Sequence, residues 1–77
     1  MTDAHTTAAD THTAAQDHRI ALVEWRTEEI NAEESKSTPD TDLLRRLYNA
    51  RLSHITEALD LGVPASTLAA ITGSQTF

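Results

Sequence analysis

The stretch TPDTDLLRRLYNARLSHITEALDLGVPASTLAAITG, residues 38 to 73, decides the fold, because it holds both prolines and both glycines of the chain. Between Pro39 and Gly62 nothing interrupts a helix. Leu44, Tyr48, Ile55 and Leu59, with Leu43, Leu47, Leu52 and Ala58 beside them, recur at helical spacing and form a wide apolar arc. Thr38 followed by Pro39 reads as an N-cap with proline at the first helical position, and Gly62 as the stop. The spacing therefore predicts a helix over 39–61. A second proline, Pro64, opens a shorter helix over 64–72, with Leu68 and Ile71 turned inward and Gly73 ending it.

Before this stretch, residues 13–35 contain no Gly or Pro and favour helix through Ala14, Ala15, Gln16 and several glutamates. Asp10, Thr11 and Thr13 are N-cap candidates. Ile20, Val23, Thr27 and Ile30 line one face, whereas Leu22 and Trp25 point elsewhere, so the helix is apolar on two sides near its middle. Two readings of Trp25 follow: ordinary core, or an anchor offered to a partner. Residues 1–12 have no large apolar side chain after Met1 and read as a disordered acidic leader. The expected fold is all-α: a small bundle of about three helices, one domain over 13–77, with no strand pattern and no internal repeat.

The charge is uneven. The chain has 77 residues and a formal net charge of −6. Residues 1–40 hold nine acidic side chains against Arg19, Arg26 and Lys36, while in residues 41–77 Asp42, Glu57 and Asp60 balance Arg45, Arg46 and Arg51. All the excess negative charge lies in the first half, which duplex DNA would repel. In the second half, Asp42 and Arg46 are spaced to pair along the helix surface. Arg51 falls inside the apolar arc, which suggests a stem laid on the core and a guanidinium reaching Glu29 or Glu33.

Several chemistries find no footing. The chain has no cysteine, hence no disulfide framework and no thiolate metal site. His5, His12 and His18 are seven and six apart, share no helical face, and read as solvated tail residues rather than metal ligands. No nucleophile–base pair or phosphate-binding glycine loop occurs, so neither enzymatic activity nor a cofactor is expected. The longest apolar run, Ile20 to Val23, is far too short to span a bilayer, and the chain reads as cytoplasmic. Seventeen large apolar side chains from Ile20 onward make a thin core, so a homodimer burying the second face of the first helix is expected.

Residues 51–77, RLSHITEALDLGVPASTLAAITGSQTF, resemble the helix-turn-helix of small regulators from actinobacteria and their phages. The resemblance rests on the arginine-led helix ending in Ala58 and Gly62, on Leu68 and Ala69 in the short helix, and on Gly73 and Ser74. It covers about a third of the chain. A tight helical hairpin with an alanine contact and a glycine cap would use the same residues. In that family the helix after the glycine reads base edges in the major groove. Here only four residues follow Gly73, so the resemblance stops where the recognition helix would begin. It implies transcriptional regulation, including control of a phage or prophage.

Two functions remain open from sequence. The first is a small regulatory protein acting through protein contacts, with Trp25, Glu24, Glu28 and Glu29 docking on a basic partner such as another regulator. The second is a dimeric, sequence-specific DNA-binding regulator contacting DNA through Arg45, Arg46, Ser74, Gln75 and Thr76.

Overall fold

The computed structural model describes residues 8–73, with side chains placed from Thr11 onward. Three helices follow in order: α1 over Ala8–Glu34, α2 over Thr41–Asp60 and α3 over Ala65–Thr72. Among the described residues there is no strand. The all-helical bundle expected from the sequence is the fold.

α1 and α2 form an antiparallel hairpin, and α3 folds back against α1. The core between them is Val23, Ile55, Ala58, Val63 and Leu68, with Ile20 and Ile71 packed at its edge. Ile30 and Leu47 are buried further along the hairpin. The face of α1 predicted from spacing is the one buried: Val23 and Ile30 are inaccessible and Thr27 nearly so. The Thr27 hydroxyl is kept there because it donates to the Val23 carbonyl at 2.8 Å and accepts from Arg51 Nη1 at 3.2 Å.

The boundaries differ from the sequence reading in ways that have causes. α1 starts at Ala8 rather than at residue 13, since Ala8 and Ala9 are strong helix formers and no Gly or Pro lies between them and residue 13. Part of the expected leader is therefore helix, and residues 1–7 lie outside the described residues. α2 begins at Thr41, with Asp40 rather than Thr38 as its N-cap. The Asp40 carboxylate accepts from the Leu43 amide at 3.1 Å, and its charge also suits the positive end of the helix dipole, an advantage threonine lacks. Pro64 is likewise the N-cap of α3 rather than its first helical residue; its carbonyl accepts from Thr67 and Leu68.

The end of α2 sets the position of α3. Gly62 has φ +90°, the left-handed region that a side chain disfavours. There the Gly62 amide bonds the Leu59 carbonyl at 2.9 Å and the Val63 amide bonds the Ala58 carbonyl at 3.0 Å. This is the paired closure of a Schellman motif, and it brings Val63 onto Ala58 in the core. From the opposite helix, Gln16 Nε2 donates to the Leu61 carbonyl at 2.7 Å and ties the turn to α1. Gly73, φ +71°, closes α3 in the same left-handed conformation, its amide donating a hydrogen bond to the Ala69 carbonyl at 2.9 Å.

The α1–α2 loop is held by one buried carboxylate. Glu33 accepts from Lys36 Nζ at 2.8 Å and from the Asp40 amide at 2.8 Å. These bonds, the lysine first, hold its carboxyl below the usual glutamate range. Because the folded value is depressed, the stabilisation is fully present above about pH 4.5, the ordinary value, and is lost as pH falls through the folded value. Thermal unfolding followed by circular dichroism is expected to show a melting temperature that falls below that pH, and Glu33→Gln should flatten the fall. Leu68→Ala, which empties the fully buried contact of α3, should cost about 2–5 kcal/mol in the same measurement at neutral pH.

Candidate functional site

The outer face of α1 carries the acidic candidates. At about 100° per residue, Glu24, Glu28, Trp25 and Glu29 sweep one continuous arc on the side away from Val23 and Ile30. Trp25 is 48% exposed. The structure thus excludes it from the core. Its indole is covered on one face by the Arg26 guanidinium, 4.2 Å from the ring centroid, and the same guanidinium pairs with Glu29 at 2.8 Å. A cation–π contact of this kind contributes roughly 0.5–1 kcal/mol at an exposed site and holds the ring in one orientation.

The arc has two dissimilar edges. Glu29 is half-buried and partnered, whereas Glu24 and Glu28 are exposed and border a shallow groove of about 270 Å³ between α1 and α3. Thr27, Asn31 and Ile71 complete the groove. The four residues singled out from sequence are therefore neighbours, but only the tryptophan and two of the three glutamates are free to meet anything.

On the other flank of α1, a chain of polar contacts crosses to α2. Arg51 bonds Thr27 and lies over the Tyr48 ring at 5.0 Å, and the Tyr48 hydroxyl donates to Glu34 Oε2 at 2.6 Å. This corrects the expected pairing of Arg51 with Glu29 or Glu33. Those carboxylates sit on the opposite flank of α1, where Arg26 and Lys36 already hold them. The Asp42–Arg46 pair is corrected too: the Asp42 carboxylate meets Arg45 at 3.5 Å, and Arg46 reaches only the Asp42 main-chain oxygen.

Arg45 and Arg46 are exposed on α2. Ser74, Gln75 and Thr76 lie outside the described residues, as does His5. His12 and His18 are exposed on α1, and among the described residues no group of three or more metal-ligating side chains comes together. No described helix is long and apolar enough to cross a membrane. Tyr48, Leu52 and Leu59, assigned from spacing to the core arc, are instead 40%, 54% and 40% exposed. Helical spacing alone could not have separated them from Leu47, Ile55 and Ala58, because the arc is wider than α1 can cover.

No protein family, no curated protein and no solved structure matches this chain.

Tyr48 is the chain's one tyrosine, so its ionisation can be followed directly. The hydrogen bond to Glu34, then burial, then the glutamate's charge hold the phenol above the usual tyrosine range, against a smaller opposing pull from Arg51. A raised folded value means stability present at lower pH and lost as pH climbs through it. Ultraviolet titration should give a midpoint above that of free tyrosine, and Glu34→Ala should bring it down.

Proposed function

We propose that the protein is a small helical regulator that acts in the cytoplasm through protein–protein contacts made by the acidic, tryptophan-bearing face of α1. The observation that carries this reading is Trp25, a large apolar ring held on the surface by Arg26 beside the exposed carboxylates of Glu24 and Glu28. Tryptophan is among the residues most enriched at binding hot spots. The excess negative charge, confined to the first forty residues, favours a basic partner, such as the DNA-binding surface of another regulator. The resemblance of residues 51–77 to helix-turn-helix regulators points the same way, to control of transcription in an actinobacterium or of a phage or prophage within one.

A second reading, a dimeric sequence-specific DNA-binding regulator, is favoured by one observation. Arg45 and Arg46 project from α2 into solvent, and Arg45 has only a 3.5 Å contact with Asp42 to hold it. Two such cations per copy could contact phosphates.

The two readings separate in paired assays with the full chain. Immobilised protein should retain a basic partner from lysate of its source cells, and Trp25→Ala should weaken that binding about thirty-fold, the cost of removing a typical aromatic hot spot. Equal retention by both proteins would remove Trp25 from the interface and end this reading. Saturable binding to the gene's own upstream DNA at low salt, absent with scrambled DNA and lost in Arg45→Ala/Arg46→Ala, would establish the second.

A further inference from the structure

Among the described residues, three of the four large apolar side chains left exposed lie on α2: Tyr48, Leu52 and Leu59. Spaced by four and seven, they fall on one narrow stripe along the helix, beside the buried Ile55. α1 covers the neighbouring stripe of Leu47, Ile55 and Ala58. α3 packs against α1 and barely touches α2, so it leaves this side of α2 uncovered. The stripe is thus an apolar face without a partner among the described residues of the single chain.

We propose that this stripe is a homodimer interface, in which α2 packs antiparallel on α2 of a second copy, with Arg45 of each chain meeting Asp60 of the other. The proposal goes beyond the Trp25 surface, which lies on the outer face of α1 and stays free.

The pattern of the stripe suits its own copy. Reversed about a two-fold axis near its middle, it sets Tyr48 against Leu59 at both ends and Leu52 close to the axis, against Leu52 and Ile55 of the other chain. In an antiparallel helix pair each edge of the contact meets the same edge of the partner helix. Arg45 and Asp60 share one edge at opposite ends, so the two-fold brings opposite charges together twice. Both are exposed, and among the described residues the 3.5 Å contact of Arg45 with Asp42 is the one ion pair either makes.

Charge also decides between helices. α2 is balanced, with Asp42, Glu57 and Asp60 against Arg45, Arg46 and Arg51, so nothing repels a second copy. Pairing through the outer face of α1, the arrangement expected from sequence, would set the row Glu24, Glu28 and Glu29 against itself.

Sedimentation equilibrium of the full chain from about 5 to 200 µM tests this. The expected result is a mass rising with concentration from 8.4 kDa toward twice that value. Leu52→Glu should raise the dissociation constant at least about thirty-fold with helicity by circular dichroism unchanged, since the residue is already exposed. Arg45→Asp and Asp60→Arg, both at exposed positions, should each weaken the dimer about three- to tenfold, and the double variant should recover it. Trp25→Ala should dimerise as the wild type does. A monomer at every concentration overturns the proposal. So does a dimer indifferent to Leu52→Glu, one that the charge swap fails to restore, or one that Trp25→Ala abolishes. A dimer that persists in Trp25→Ala while partner capture is lost supports both surfaces; loss of capture with no dimer leaves only the Trp25 reading standing.

Discussion

One stripe of α1 has to serve two helices of unequal length. Val23, Thr27 and Ile30 are the residues around which the bundle closes: Ile55, Ala58, Val63 and Leu68 gather at the Val23 end, while Leu47 is buried further along. With three aromatic side chains in 77 residues there is no second core to fall back on. The consequences reach every surface. α3 packs against α1 rather than across α2, so the apolar arc of α2 is buried on one side and bare on the other. The outer face of α1, turned away from both partners, is left to carry Trp25 and its carboxylates.

Polar groups hold the thin core in register. Thr27 sits in the buried stripe at little cost because its hydroxyl is bonded twice, and the bond from Arg51 makes it a bridge between helices. Arg51 in turn is spread over Tyr48, whose hydroxyl is engaged by Glu34. Glu33 does the corresponding work at the loop, joining the end of α1 to the start of α2 through one side chain. Gln16 does it at the far end. Each link ties two elements together, and so resists the sliding that a narrow hydrophobic seam would otherwise allow.

Much of this was legible in the order of residues. The three helices, the stops at Gly62 and Gly73, and the inward face of α1 follow from propensity, glycine geometry and spacing. So does the division of charge that sets the acidic face of α1 apart. The caps were harder, since Thr38, Asp40 and Pro39 all offer plausible starts, and the choice of Asp40 depends on Glu33 arriving from another helix to bond its amide. The partner of Arg51 was misread for a similar reason: proximity in charge suggested Glu29 or Glu33, but the flank on which each projects is fixed by how α1 is rotated against α2.

The sequence by itself determined which segments are helical, which face of α1 is buried and where the negative charge lies, because these depend on local backbone preference and on a period of 3.6 residues. Only the tertiary structure decided which part of the wide arc on α2 is core and which is surface. Leu47, Ile55 and Ala58 are as apolar as Leu52 and Leu59; what separates them is the width of α1 and the packing of α3 on α1 rather than across α2. The same packing put Trp25 outside, since a helix of this radius can bury one apolar face against its neighbours and must leave the other to solvent or to a partner.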